Sequence, residues 1–229
     1  MLRYNIFNMI HKALRGKLYD TALTLQQTWF ADTEDAATAL EKVSEVIEAF
    51  EKHGHHEDTI LMPFIEKFQS STIASFEKDH IDDRAMGNDL KHLQNIYNAA
   101  QSKEEHIIAG SAITKAFIDY MIFNLQHMQR EEIELNRLLW DHYTDDEIQK
   151  INEQIIDSIS PEEMATSSQW FMQAINSEEA TNWLIAVKQT APEHIFASLF
   201  ELTETAVPER FRKSVQDAVL AYRVPAPVF

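Results

Sequence analysis

The sequence predicts an all-α protein: an up-down-up-down four-helix bundle followed by a C-terminal region of shorter helices. Three observations carry this. Glycine (4) and proline (6) are scarce in 229 residues, while helix-favouring Ala, Leu, Glu, Gln and Ile recur throughout. Apolar residues repeat at alternating steps of three and four along four long segments. Short polar breaks, too brief for crossovers, join those segments at "ADTED" (31–35), "KFQSST" (67–72) and "AAQSKEE" (99–105), with a further break at "YTDDE" (143–147).

The inward stripe of the first segment is Phe7, His11, Leu14, Leu18 and Leu25. Asp32 caps the second segment, whose stripe is Ala36, Ala39, Val43, Val46, Phe50, His53, Glu57, Ile60 and Phe64. The third gives Ile73, Phe76, His80, Gly87, Leu90 and Tyr97; the fourth gives Ile113, Phe117, Tyr120, Asn124, His127, Glu131, Leu135 and Leu138. Thr144 and Glu147 form a capping box for the next helix. The bundle domain is therefore expected over residues 1–143, with a C-terminal helical extension at 144–229 that packs on the bundle or on a partner. "SPEE", "NSEEA", "TAPE" and "VPER" start its shorter helices. Trp170, Phe171, Met172, Trp183, Phe196, Phe200 and Phe211 supply its packing, or a surface for a protein partner or a homodimer. The tail "RVPAPVF" (223–229) is expected to be extended or disordered.

Composition excludes several functions. With no cysteine there is no disulfide, no thiolate catalysis and no cysteine-ligated zinc or iron–sulfur cluster. A formal charge of −17 repels phosphate backbones, so no nucleic-acid partner is expected. No stretch of about 18 apolar residues is read as a membrane span, and the N-terminus lacks a signal peptide's apolar core, so the expected location is cytoplasmic, without a membrane partner.

Every one of the four seams carries a histidine, and two carry a glutamate one turn later: His53 with Glu57 and His127 with Glu131. Residues i and i+4 lie about 40° apart on a helix and point the same way. Their heights also agree. His11 stands 21 residues before Asp32 and His53 stands 21 after it; about Ser102, His80 is 22 before and His127 is 25 after. At about 1.5 Å per residue the mismatches are one turn or less, so His11, His53, Glu57, His80, His127 and Glu131 converge near one end of the bundle interior. Imidazoles and carboxylates in an apolar seam, with no basic residue among them, suit a metal pair about 3.5–4 Å apart better than an ion-pair cluster. Mixed nitrogen and oxygen ligation favours iron or manganese, with zinc as an alternative.

These pieces, "HKALR" (11–15), "HGHHEDTILMP" (53–63), "DHIDDR" (79–84) and "HMQREEIELNRLL" (127–139), resemble the hemerythrin-like, or HHE cation-binding, family in order and approximate spacing. The resemblance implies a non-haem di-iron centre, oxo- or hydroxo-bridged, in which His11 and His53 bind one iron and His80 and His127 the other, with Glu57 and Glu131 bridging. It further implies a protein that binds or senses O₂, NO or peroxide. The alternatives are a di-iron oxidase, peroxidase or iron-centre repair enzyme, and, third, metal storage. The chain departs from the oxygen-carrying members, whose third element is His-x-x-x-His: here Arg84 follows His80 at four. Their last element has aspartate five residues after histidine, where here Glu131 follows His127 at four. Asp83 is read as a solvated acid at the seam edge, with a place on the second iron as the alternative. Tyr120 and Asn124 are read as core packing with a local hydrogen bond, a redox-active tyrosine being the alternative. His55 points away from the seam and His56 to its flank; His92, His106, His142 and His194 lie off the cluster.

Overall fold

The computed structural model describes residues 3–223, and the tail at 224–229 lies outside the described residues. Among the described residues there is no strand. α1 (Asn8–Gln27), α2 (Thr33–His56), α4 (Ser70–Ala99) and α5 (Lys103–Arg130) form a ring, α1 packing on α2 and α5, and α4 on the same two. The starts follow the chemistry of orphan amides: Asp32 accepts from Glu34 and Asp35, and Ser102 forms a reciprocal box with Glu105. Thr144 and Glu147 do the same for α7 (Asp145–Ser158). Where α5 begins, the Phe30 ring lies only 2.0 Å from where a Cβ on Gly110 would stand, so only glycine admits the ring there.

Two helices do not run straight. α2 passes at Glu57–Leu61 through one π-helical turn into α3 (Met62–Glu66), and α5 passes at Glu131–Leu135 through another into α6 (Asn136–His142). Each turn inserts an extra residue, so the seam slips by one beyond it. Leu61, Ile65, Leu135 and Leu139 are buried, whereas the expected Ile60, Phe64 and Leu138 are half-buried.

Apolar side chains form two clusters. One runs from Leu14 and Leu18 through Val43, Phe50, Leu90, Phe117 and Tyr120. The other holds Phe7, Leu61, Met62, Ile65, Phe76, Leu135 and Leu139, closed by Ile148 and Ile151 of α7. The first compact unit therefore runs through Ser158, past the expected boundary at 143, because α7 completes this second cluster. Helix Lys103–His142 also contains an apolar stretch of 18 residues, most of it not buried. By length and composition that helix could cross a membrane, contrary to the expectation from sequence; it is equally the bundle helix that sends Ile113, Phe117 and Tyr120 into the core.

The second unit, from Ile159, holds α8 (Pro161–Ala174), α9 (Ser177–Thr190), α10 (Glu193–Ala206) and α11 (Glu209–Ala221). Ser160 and Asn176 cap α8 and α9 as their sequences require. Its buried positions are mostly small or aliphatic: Met172, Ile175, Ala180, Leu184, Val207, Val215 and Val219. The aromatic residues expected to fill it, Trp170, Phe171, Trp183, Phe196, Phe200 and Phe211, do not lead this core, whose fully buried places go to the smaller side chains.

Candidate metal centre

Between the two apolar clusters lies a polar layer. The structure brings together all six residues singled out from sequence, and all six are buried. Their ligand atoms form two sets, His11, His53, Glu57 and Glu131, and Glu57, His80, His127 and Glu131, each with its atoms within 4.8 Å of one another. The two glutamates belong to both sets. Each set takes its histidines from one helical hairpin, α1–α2 or α4–α5.

The Nε2 atoms of all four histidines and both carboxylate oxygens of Glu57 and Glu131 are buried without a hydrogen-bond partner. They are nevertheless close: His127 Nε2 lies 3.0 Å from Glu131, His53 Nε2 3.2 Å from Glu57, His80 Nε2 3.3 Å from Glu57 and His11 Nε2 3.4 Å from Glu131. Lone pairs that converge without pairing are the signature of ligands around a cation. Two ligands at bond lengths of about 2.0–2.2 Å and right angles to each other stand about 3 Å apart, which these separations approach. So many orphaned buried polar atoms in one place would cost many kcal/mol with nothing between them. The donor set of imidazole nitrogen and carboxylate oxygen fits a pair of transition-metal ions.

Outside this layer the histidines are held from behind. His11 Nδ1 donates to Glu132 at 2.9 Å, His80 Nδ1 to Asp58 at 2.6 Å, and His127 Nδ1 faces Asp79 at 3.4 Å. Each carboxylate is in turn paired with arginine: Glu132 with Arg15 (2.6 Å), Asp58 with Arg84 (3.6 Å) and Asp79 with Arg130 (2.5 Å). A proton fixed on Nδ1 leaves Nε2 free as an acceptor aimed inward, and the carboxylate raises its basicity.

Burial disfavours charge on every group here, and the neighbours decide the outcome. Against burial, the Glu131 and Glu132 carboxylates beside it raise His11 to about 9. Against burial, Asp58, Glu131 and Glu57 raise His80 to about 12. His53 has no such excess; burial, then the charge on His11, pushes it well below the ordinary imidazole value. Burial and the Glu131 charge lift Glu57 to about 7, while His127, His11 and His80 overcome burial to hold Glu131 well below the carboxylate range. Protons and metal cations would therefore compete for these groups.

The three adjacent histidines separate as expected: His53 joins the layer, His55 is exposed and His56 is half-buried. His92, His142 and His194 are exposed and His106 is half-buried, all away from the layer. Asp83 corrects the sequence reading: it is buried at 6% exposure, and Asn124 Nδ2 donates to it at 2.6 Å. Sequence reasoning also missed Asp58, Asp79, Glu132 and the arginines behind them. A signal for most of them exists as an internal repeat. Phe-x₃-His-x₃-Arg occurs at 7–15 and again at 76–84, and His-x₃-Glu followed by an acid occurs at 53–58 and again at 127–132.

Comparison with curated proteins and with solved structures gives no match. The family model of the hemerythrin HHE cation binding domain matches residues 3–139, which span the ring, both π turns and every residue of the polar layer. The chain belongs to the hemerythrin HHE cation-binding domain family.

Proposed function

We propose that the polar layer holds two iron ions and that the protein binds or senses a small ligand such as O₂, NO or peroxide there. The observation that supports this reading is the pair of four-residue ligand sets sharing Glu57 and Glu131, with every inward ligand atom lacking a hydrogen bond. Two sets that share both carboxylates describe two adjacent ions rather than one. Mixed imidazole and carboxylate ligation suits iron, and four protein ligands would leave a six-coordinate iron positions for a small ligand.

A pair of irons supplies redox change and open positions for a small ligand. The chain supplies the rest. His11, His80 and His127 are oriented by Glu132, Asp58 and Asp79, and the apolar clusters on both sides exclude bulk water. The test is elemental analysis of protein purified without chelators, followed by optical spectra on adding O₂, NO, azide or peroxide. About two irons per chain and a reversible spectral change are expected. Turnover of peroxide or NO under reductant assigns an enzyme instead, and a metal-free layer refutes the reading.

A further inference from the structure

Aligning the two hairpins on their repeated residues shows a place beside the polar layer where their chemistry differs. Three residues after the first histidine stands Leu14 in one half and Asp83 in the other. Three before the second histidine stands Phe50 or Asn124; seven before it stands Val46 or Tyr120. All six are buried. The metal position of His11 and His53 is therefore backed by leucine, phenylalanine and valine, and that of His80 and His127 by an acid, an amide and a phenol.

This polar group is not self-sufficient. Asn124 Nδ2 donates to Asp83 Oδ1 at 2.6 Å and to the Tyr120 carbonyl at 3.2 Å. The Tyr120 hydroxyl, on a fully buried side chain, and Asn124 Oδ1 have no hydrogen-bond partner. After burial, the charge of the nearby Asp83 carboxylate raises the Tyr120 hydroxyl further, so the phenol and the acid face one another. Asp83 is close enough to His80 and His127 to feel their charge, yet it does not join the ligand set around them. A buried donor and a buried acceptor beside one metal position, placed outside its ligand set, are complementary to a small molecule that both accepts and donates.

Resting on the di-iron reading, we propose that Asp83 and Tyr120 form a subsite, beside the metal position of His80 and His127, for a small protonated oxygen molecule (water, hydroxide or hydrogen peroxide) that would donate to Asp83 and accept from Tyr120. The counterparts in the other half, Leu14, Phe50 and Val46, carry no polar side-chain group. The arrangement discriminates by chemistry: a ligand with a proton to give engages both groups, and one that only accepts engages Tyr120 alone.

The test uses iron-loaded full-length protein titrated with hydrogen peroxide and with azide, read by stopped-flow absorbance, with iron content and circular dichroism measured for each variant. Tyr120→Phe is expected to weaken both probes about tenfold, the loss of one buried hydrogen bond. Asp83→Asn is expected to weaken peroxide about tenfold while leaving azide unchanged or tighter, since azide gives no proton and is relieved of a nearby carboxylate. Both variants keep wild-type iron content and helicity. Leu14→Ala, the mirror position, leaves both affinities within about twofold, less than the loss of one hydrogen bond. Loss of an iron from Asp83→Asn makes Asp83 a ligand and overturns the proposal. So does an effect of Leu14→Ala with none from Tyr120→Phe and Asp83→Asn. A chain that holds no iron pair before any probe is added fails the di-iron reading itself, and elemental analysis shows that first.

Discussion

Glu132 and Asp58 each stand one residue beyond a glutamate that points into the polar layer, and each accepts a hydrogen bond from a histidine on a neighbouring helix. Charge at these two positions does not touch a bound ion, yet it sets the histidine's tautomer and ring angle. Replacing Glu132 by glutamine, or Asp58 by asparagine, should weaken metal binding about 10- to 100-fold, with helicity unchanged. Competition against a chromophoric chelator measures this, and wild-type affinity in both variants would show the anchors to be idle. A sharper contrast lies among three neighbours. His53→Ala should remove at least about half the bound metal by emptying one of two ion positions; His55→Ala should change nothing, and His56→Ala should perturb the optical spectrum without emptying the site. At this scale the sequence was legible where burial makes a residue expensive. A histidine or glutamate in an apolar seam has few explanations, so the six layer residues stood out. Asp58 and Glu132 sit at the flank, half-buried, where an acid has many. Asp83 was misread because α4 is polar along most of its length, which blurs the edge of its seam.

The helices were legible at their ends and misread in their middles. Asp32, Ser102, Thr144, Ser160 and Asn176 are local capping signals, and each caps the helix its sequence announced. The π turns carry no comparable signal. Apolar residues stand on both sides of the slip, Ile60 beside Leu61 and Leu138 beside Leu139, so a 3.6-residue period extrapolates through without a visible fault. Yet each π turn starts at a glutamate of the polar layer. A π turn advances each residue by about 80° rather than 100°, which brings Asp58 closer to the face of Glu57 and toward His80. Deleting Thr59 removes the extra residue and leaves Leu61 and Ile65 three and seven positions after Glu57, still an α-helical seam. We expect that deletion to retain the helical circular dichroism and the cooperative unfolding transition but to weaken metal binding at least about tenfold, the lower bound for loss of a histidine's carboxylate anchor. Equal loss of fold and metal would mean that the turn serves packing alone.

Because apolar clusters lie on both sides of the polar layer, the bundle does not depend on metal as a zinc finger does. Chelation should leave most of the far-ultraviolet helical signal, and a coil spectrum would contradict this. In the metal-free chain the pH dependence has a definite sign. His11 has its folded pKa raised from 6.5 to about 9, so its contribution to stability is complete below about 6.5 and is lost as pH rises through about 9. The denaturant midpoint of chelated protein should therefore fall between pH 6.5 and 9. Over the same window metal affinity should rise, since fewer protons must leave for ions to enter. A midpoint that rises, or an affinity that falls, would reverse the assignment of those protons.

The exchange of glutamates between hairpins has a consequence for ancestry. Each hairpin carries two histidines, one glutamate and the acid that holds its neighbour's histidine, and lacks only the glutamate that the other lends. Half a molecule is thus self-complementary: two copies of the first hairpin, related by a two-fold axis, would present each other with the missing carboxylate and the missing anchor. The repeated Phe-x₃-His-x₃-Arg and His-x₃-Glu-acid strings are what duplication and fusion of one such half would leave behind. In a homodimer of that kind the two ions would be identical. Joining such halves into one chain would free each to drift, and Leu14 and Asp83, Phe50 and Asn124, and Val46 and Tyr120 are pairs at which the two halves differ. On that history symmetry would supply two equivalent metal positions, and fusion would allow them to differ.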